Sequence, residues 1–265
     1  MNIANRFNNP FTLFFIVLGL VLIIFILWPL LGTVFSADYG LLFEDAEIAR
    51  EVRESILLTF YSGLVATIAG LVFGVPLAYV LARKDFHGKS LIEAIIDVPL
   101  VIPHSAAGIA LLFAFGQERF LGQFFHILHI DFFGQIAGIV VAMMFVSIPF
   151  LVDSAKEGFK SVDPRLENVA RTLGASPRQT FFTISLPLAR RSVISGSILM
   201  WARGISEFGA VLFLVYHPRI TPVLILDWFG LYGLPHTLAL AGLLILISLF
   251  IFIVLRLLVQ RGEYK

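Results

Sequence analysis

The stretch Val162–Pro187, VDPRLENVARTLGASPRQTFFTISLP, is a long polar segment between apolar runs of membrane-spanning length. Asp163 is predicted to cap a short helix, and Pro164 suits the first helical position, where a backbone N–H has no intrahelical partner. Gly174 predicts a left-handed end to this helix, and Ser176-Pro177 predicts the start of a second one. The stretch therefore predicts two short helices joined by a bend.

The first of these helices carries a single apolar stripe. Leu166, Val169, Ala170 and Leu173 follow the spacing i, i+3, i+4, i+7 that places side chains on one helix face. A helix this short cannot bury the stripe alone, and burial of each large side chain against a partner would contribute roughly 1.5–3 kcal/mol. The stripe predicts either a helix that docks in the groove of another protein or an interfacial helix that lies on lipid.

The same stretch resembles a known motif. The spacing from Asn168-Val169-Ala170 through Gly174 to Ile184-x-Leu186-Pro187 is similar to the signature loop of ABC importer permeases: Glu-Ala-Ala, three residues, Gly, nine residues, Ile-x-Leu-Pro. Asn168 replaces the Glu and Val169 the first Ala, with Glu167 one position early. This departure concerns the polar contact of the family's Glu and not the loop itself. The segment SVDPRLENVARTLGASPRQTF is most similar to the molybdate/tungstate and sulfate branch of these permeases. The resemblance to the family extends from about Ile56 to Arg256.

The resemblance implies an all-α integral membrane protein with the type I ABC importer permease fold, six transmembrane helices and both termini in the cytoplasm. Two copies would form a homodimer around one pathway, with two ATP-binding cassette ATPase subunits below it and an extracytoplasmic substrate-binding protein above. The cargo implied is an oxyanion, molybdate/tungstate first and sulfate/thiosulfate as the alternative. ATP and Mg²⁺ would be held by the partner ATPase, so no catalytic residue and no cofactor are expected on this chain.

In that family the signature loop is the coupling helix, which seats in a cleft of the ATPase. The loop residues expected to take this role are Asp163, Leu166, Glu167, Asn168, Val169, Ala170, Arg171, Thr172, Leu173, Gly174, Ala175, Ser176 and Pro177. ATP binding would close the ATPase dimer, draw the two loops together and shift the bundle from inward-open to outward-open.

Composition places the chain in a membrane before any motif is considered. Apolar residues make up 58% of the sequence and charged residues only 14%. The absence of cysteine excludes disulfides and thiolate metal sites, and a net charge of +1 argues against a nucleic-acid partner. The composition predicts an integral membrane protein, and the resemblance to ABC importer permeases implies a multi-pass protein of the cytoplasmic membrane.

Six apolar runs are long enough to cross roughly 30 Å of hydrocarbon. They lie near residues 11–34, 57–82, 94–116, 133–152, 193–216 and 237–258. We divide the chain accordingly into an N-terminal helix and extracytoplasmic segment (1–55), the transporter domain (56–256, with the coupling loop 162–187) and a cytoplasmic tail (257–265). Lys and Arg concentrate in alternate connections, above all between the fourth and fifth runs, which predicts that both termini and the loop are cytoplasmic.

The fifth run contains an ionisable pair. Arg203 and Glu207 lie four residues apart about halfway across, and charges at that depth predict a functional site. Ser206 lies between them, and His104 and Ser105 follow a kink predicted at Pro99 and Pro103. We take these five polar residues as candidates for lining the translocation path. The alternative, that the pair neutralises itself and only fixes helix packing, stays open.

Other signals are weaker. Gly88-Lys89-Ser90 lacks the earlier glycine of a phosphate-binding loop, so no nucleotide site is predicted. Glu93 and Asp97 suit either a boundary cap or the proton relay of an ion-coupled secondary transporter, but that class is expected to show internal repeats, which the sequence lacks. His126, His129 and Asp131 have no further evident ligand, so we predict no metal site. Small residues at every fourth position in the second and fourth runs predict helix-packing faces.

Overall fold

The computed structural model describes residues 9–261, and the side chains as far as residue 257. This range contains helices and connecting segments, with no β-strand within it. The helices are α1 (Pro10–Ser36), α2 (Ala46–Arg83), α3 (Lys89–Val101), α4 (His104–Phe115), α5 (Phe120–His126), α6 (Ile136–Ser161), α7 (Pro164–Thr172), α8 (Pro177–Thr180), α9 (Leu186–Ile205), α10 (Gly209–Leu214), α11 (Thr221–Leu231) and α12 (Leu234–Arg261). A 3₁₀ turn covers Tyr39–Phe43, and a π-helical segment, Phe181–Ser185, joins α8 to α9.

The chain divides into two compact units. The first contains the N-terminal part as far as Val52 together with Ile225–Leu249, and the second contains Arg53–Leu224 together with the stretch from Phe250 onward. Within the first unit, the indole N–H of Trp228 donates to Glu51 at 3.3 Å, and His236 pairs with Glu44 at 3.3 Å. The predicted functional residues all lie in the second unit.

Four helices in the described range, α1, α2, α6 and α12, are long and apolar enough to cross a membrane. The predicted third span is instead a bent pair, because α3 and α4 meet at an angle of 116°. If the pair counts as one crossing, the total is five. The bend lies at Ile102 and Pro103, which agrees with the kink predicted at Pro103, because this proline has no N–H with which to continue the helix of α3. Pro99, the other proline at which the kink was predicted, lies inside α3 and does not end it.

The predicted fifth span is also not one continuous helix. It separates into α9, which ends at Ile205, and the short α10, which begins at Gly209. Residues 206–208 between them leave the helical path, so Arg203 lies in the last turn of α9 and Glu207 lies in the break itself, not on the same continuous helix. The sequence prediction of a single helix over 193–216 is wrong in this respect.

The second unit is held together by close packing of α2, α6 and α9. An added Cβ at Gly70 would lie 2.6 Å from Sδ of Met200, and one at Gly74 would lie 3.1 Å from Cδ1 of Ile148. Ala66 and Ala78 on the same ridge of α2 are fully buried. In lipid there is no hydrophobic driving force for helices to associate, so the van der Waals contacts of this close approach stabilise the packing. The predicted packing face on α2 is confirmed.

The corresponding prediction for α6 is only partly right. Gly138 and Ala142 are buried, and an added Cβ at Gly138 would collide with the carbonyl oxygen of Phe132. Gly134, however, lies before α6, in a turn where its φ is +67°. It therefore serves a left-handed backbone conformation that glycine tolerates and not a helix face.

α11 is a short apolar helix of 11 residues. Its Trp228 is buried, with only 1% of the residue exposed. The side chain is inside because its indole N–H finds a carboxylate partner in Glu51. A partner of this kind removes the cost of burying the polar end of a tryptophan.

Candidate functional site

The predicted coupling loop is built by local signals that the sequence contains. Asp163 accepts the backbone N–H of Arg165 at 2.9 Å, and Pro164 occupies the first position of α7. The end of α7 has the hydrogen bonds of a Schellman motif: the N–H of Ala175 reaches the carbonyl of Ala170 at 3.0 Å, and that of Gly174 reaches Arg171 at 3.0 Å. Gly174 has φ +93°, a conformation that glycine adopts without strain.

α8 begins one residue after this turn. Ser176 and Gln179 form a capping box, in which Oε1 of Gln179 accepts the N–H of Ser176 at 2.8 Å and Oγ of Ser176 accepts the N–H of Gln179 at 3.3 Å. The end of α7 and the start of α8 are therefore both fixed by hydrogen bonds. The bend between them is a defined elbow, as the sequence predicted.

The apolar stripe of α7 points away from the bundle. Leu166 is 47% exposed, Val169 56% and Leu173 83%, while Ala170 is half-buried. Asn168, Arg171, Thr172 and Pro177 are exposed beside them, and Ala175 is partly buried. A helix capped at both ends thus presents large apolar side chains outside the packed core of its own unit. Such a surface is typical of a helix that docks in a groove.

Glu167 lies on the opposite face of α7, and it is only 4% exposed. Its Oε1 accepts Nε–H of Arg83 at 2.8 Å and the hydroxyl of Ser185 at 2.8 Å. Its Oε2 accepts the hydroxyl of Tyr79 at 3.3 Å. Nη2 of Arg83 also donates to the carbonyl of Val162 at 3.0 Å. We call Glu167, Arg83, Tyr79, Ser185 and the Val162 carbonyl the Glu167 node.

Aromatic rings pack against the node. The ring of Tyr79 meets those of Phe159 and Phe181 edge to face, with centroids 5.3 and 4.9 Å away. Phe159 is fully buried. These rings exclude water, and a charge-assisted hydrogen bond is stronger in such surroundings than at a wet surface.

A second polar cluster lies where two broken helices meet. An added Cβ at Gly209, the first residue of α10, would lie 2.8 Å from Cβ of His104, the first residue of α4. Gly108 approaches the backbone of Ala210 equally closely, with a 2.8 Å separation between its added Cβ and the Ala210 carbonyl oxygen. The two breaks therefore bring His104 next to Arg203, although the two residues are 99 positions apart in the sequence.

Glu207 is the anchor of this cluster, with 1% of the residue exposed. Its Oε1 accepts the N–H of Ala210 at 2.8 Å, which satisfies a free donor at the start of α10. Its Oε2 lies 3.0 Å from Nη2 of Arg203 and 3.5 Å from Nδ1 of His104. One carboxylate thus holds the helix break, the guanidinium and the imidazole.

Arg203 spans the cluster on the more open side, with 24% of its side chain exposed. Nη2 lies 2.7 Å from Nε2 of His104, and Nη1 donates to Oγ of Ser206 at 3.3 Å. An imidazole whose Nδ1–H faces Glu207 has the Nε2 lone pair free to accept from Arg203. Four of the five predicted path residues therefore form one cluster, and the fifth, Ser105, is exposed beside His104.

A family model, described as the binding-protein-dependent transport system inner membrane component, matches residues 70–263. The chain belongs to this family. The match includes the coupling loop and both broken helices, and it makes the chain a multi-pass membrane component of a transport system. The prediction that the chain is a pore-forming subunit and not an enzyme is confirmed by this membership, which also sets aside an ion-coupled secondary transporter.

Curated relatives agree along almost the whole chain. The molybdate/tungstate transport system permease protein of Pyrococcus abyssi is 45% identical over 97% of this chain and 99% of its own length. Its counterpart in Pyrococcus furiosus is 46% identical over 93% of this chain and 94% of its own length. The sulfate transport system permease protein of Synechocystis is 30% identical over 78% of this chain and 73% of its own length.

A solved structure shows the same fold. A bacterial alginate ABC transporter, in complex with an alginate pentasaccharide-bound periplasmic protein, contains a chain that matches with a TM-score of 0.73 at 15% identity. The match covers 98% of each chain. The predicted fold, an all-helical ABC importer permease, is therefore confirmed for the described residues.

Sequence reasoning identified the loop and the Arg203 cluster but missed the inner partners of Glu167. Tyr79, Arg83 and Ser185 were not candidates, and Glu167 was assigned to the loop without a direction. The sequence offered two hints of such a pair. Arg83 is an arginine at the end of a long apolar run, and Glu167 is the single glutamate in a stretch rich in arginine. Pairing the two required the tertiary structure, because they are 84 residues apart.

Proposed function

We propose that this chain is the transmembrane permease subunit of an ATP-driven ABC importer for an oxyanion, with molybdate or tungstate as the cargo. It contains no cofactor of its own, and ATP and Mg²⁺ bind to a separate ATPase. The observation that carries the proposal is the exposed stripe of Leu166, Val169 and Leu173 on a helix whose ends are both capped. This stripe is the surface that seats in the ATPase.

The proposed topology has six crossings, with both termini and α7 in the cytoplasm. Four long helices supply four of them, the bent pair α3 and α4 supplies one, and α9 with α10 supplies the last. The excess of Lys and Arg around α7 supports the cytoplasmic position of the loop. The membrane is the cytoplasmic membrane.

We propose further that two copies associate along a groove in the second unit. The groove has a volume of about 1010 Å³ and is lined mainly by apolar side chains of α2 and α9. On α2 it extends from Leu57 to Leu71, about 21 Å at 1.5 Å per residue. That length suits a helix of a second copy better than a small molecule. A homodimer would place two copies of α7 under one pathway.

The Arg203 cluster is the proposed contact for the anion on its way through. The guanidinium is the more exposed member and the carboxylate the buried one, so an anion approaching from the open side meets positive charge first. Glu207 and His104 already occupy donors of Arg203, so the anion is not held tightly enough to be trapped. A weak site of this kind allows passage.

The cargo assignment rests on the relatives. Those that match over nearly the full length are named for molybdate and tungstate, and sulfate or thiosulfate is the second candidate because a sulfate permease also matches. Molybdate, tungstate and sulfate are all tetrahedral oxyanions, and an extracytoplasmic binding protein would select among them.

The test is reconstitution in liposomes with the cognate ATPase and binding protein, with molybdate, tungstate and sulfate offered separately. ATP-dependent uptake of molybdate or tungstate is expected, with sulfate slower by at least tenfold. A Leu173→Asp variant should lose most of its affinity for the ATPase, because the charge would be buried in the ATPase groove.

The matched control is Phe86→Asp, which changes an exposed apolar side chain in the connection between α2 and α3 and should leave ATPase binding unchanged. Equal binding of the ATPase by wild-type protein and Leu173→Asp would contradict the proposed docking surface. Faster uptake of sulfate than of molybdate would reassign the cargo.

A further inference from the structure

The Glu167 node joins parts of the second unit that are distant in sequence. Tyr79 and Arg83 belong to the last two turns of α2, Val162 is the residue after α6, Glu167 belongs to α7, and Ser185 ends the π-helical segment. The Glu167 carboxylate accepts hydrogen bonds from the side chains of Tyr79, Arg83 and Ser185. Arg83 also donates to the backbone carbonyl of Val162. The proposed docking helix is thus tied to α2 and, through Ser185, to the π-helical segment that leads into α9.

The two faces of α7 have opposite characters. Leu166 is 47% exposed, whereas the next residue, Glu167, is only 4% exposed. The outer face is apolar and suits a partner, whereas the inner face presents one charge to a dry set of donors. A force applied to the outer face reaches the bundle through this inner contact.

The node resists separation because its charges are buried. The side chains of Arg83 and Glu167 are 9% and 6% exposed. Moving α7 away from α2 would leave each charge without its partner in surroundings that solvate it poorly. A buried charge that has lost its partner is strongly unfavourable. By contrast, the ion pair of Lys160 with Glu157, also near the loop, is exposed and screened.

We infer that the Glu167 node makes α7 and the inner end of α2 move as one rigid body, so that Glu167 and Arg83 are positioning residues that transmit ATPase movement to the membrane helices. This inference rests on the proposed role of α7 as the docking helix. It adds the direction of transmission: from the outer stripe, through a buried ion pair, into α2 and α9.

The first experiment measures coupling in the reconstituted complex with ATPase and binding protein. Glu167→Gln keeps the shape of the side chain but removes its charge. The variant should still assemble with the ATPase and hydrolyse ATP at no less than half the wild-type rate, while molybdate transported per ATP falls at least fivefold. Arg83→Gln should have the same effect, and Arg83→Lys should recover part of the lost transport.

The matched control is Glu157→Gln, which removes the negative charge of an exposed ion pair two turns before α7. This variant should leave the amount of molybdate transported per ATP unchanged. A merely structural role would lower assembly and both activities together, without a change in molybdate transported per ATP. Such a parallel loss would overturn the inference, and so would an unchanged ratio in Glu167→Gln.

The second experiment tests rigidity directly. Because the natural sequence has no cysteine, the double variant Arg83→Cys with Glu167→Cys carries a single thiol pair in this chain. A short thiol-specific bifunctional reagent replaces the ion pair with a covalent link. If the two helices move together, cross-linking should raise molybdate transported per ATP at least threefold above that of the unlinked double variant.

If α7 moves relative to α2 during transport, the link should instead abolish transport, which would overturn the inference. The outcomes also separate it from the proposed function. A wild-type chain that fails to bind the ATPase would refute the docking role itself. If the wild-type chain binds the ATPase and transports molybdate, and Glu167→Gln transports as much molybdate per ATP as the wild type, only the transmission through the node would be refuted.

Discussion

Arg203 illustrates how one residue is placed by its neighbours. Its guanidinium is directed by Glu207 at 3.0 Å, by His104 at 2.7 Å and by Ser206 at 3.3 Å. The buried carboxylate compensates the positive charge within the protein, and the partial exposure of Arg203 leaves one side accessible. Within the structure Glu207 fixes the helix break and Arg203 presents a cation on the open side, so the path-lining hypothesis and the packing hypothesis both stay predictions.

Replacing Arg203 by glutamine should lower molybdate uptake at least tenfold, because the cation facing the open side of the cluster is lost. Assembly with the ATPase should be unaffected, since the proposed docking helix, α7, is a different element. The measurement is uptake by proteoliposomes at several molybdate concentrations, together with copurification of the ATPase.

Arg256→Gln serves as the control for that change, because it removes an exposed arginine near the end of α12, outside the cluster. Uptake by Arg203→Gln within twofold of the wild type would remove Arg203 from the path. A purely structural role would instead appear as poor yield of folded protein at unchanged uptake per molecule.

At the scale of an element, the elbow between α7 and α8 depends on one backbone conformation. Gly174 has φ +93°, and a Cβ added there would meet nothing within 4 Å. The position is therefore open in space but costly in backbone geometry for any other residue, by about 1–2 kcal/mol.

Gly174→Ala should consequently destabilise the elbow by about 1 kcal/mol and weaken binding of the ATPase several-fold. Gly32→Ala in α1 is the matched control, because an added Cβ there also meets nothing within 4 Å but the backbone is helical. That change should be neutral or slightly stabilising. Equal affinity of both variants for the ATPase would contradict the role of the left-handed conformation.

The contact between α4 and α10 is a second element-scale feature. A Cβ at Gly108 would lie 2.8 Å from the carbonyl oxygen of Ala210 and 2.9 Å from its Cα. Backbone atoms cannot move aside as a flexible side chain does, so Gly108→Ala should cost about 1–3 kcal/mol. Thermal unfolding of the purified protein in detergent should show the loss.

Gly230→Ala, where an added Cβ meets nothing within 4 Å, provides the comparison for Gly108→Ala. Because the same contact brings His104 to Arg203, the variant at 108 should also reduce uptake. Full stability of Gly108→Ala would mean that the two broken helices are not packed as closely as described.

At the scale of the whole molecule, the proposed orientation has a direct test. The natural sequence lacks cysteine, so single-cysteine variants report one position each. Asp85→Cys lies in the connection between α2 and α3, and Leu128→Cys follows α5. With a membrane-impermeant maleimide, Leu128→Cys should be labelled in intact cells and Asp85→Cys only in inverted vesicles. The reverse pattern would contradict the proposed topology.

Local signals were sufficient for much of the loop. Asp163, Pro164, Gly174 and the Ser176-Pro177 pair act within a few residues, so their capping and turn roles could be predicted from their order in the chain. Length and apolar composition likewise predicted the long helices. Breaks were harder: proline at 103 signalled one, whereas no proline marks the end of α9 at Ile205.

The sequence by itself determined that the chain is a helical membrane protein and that a capped amphipathic helix lies in its polar loop, because hydrophobic length and capping are properties of neighbouring residues. Only the tertiary structure decided which polar groups meet. Glu167 pairs with Arg83 and Arg203 with His104 across 84 and 99 residues, respectively. Such pairings depend on how helices cross, and they are selected because a buried charge without a partner is strongly unfavourable.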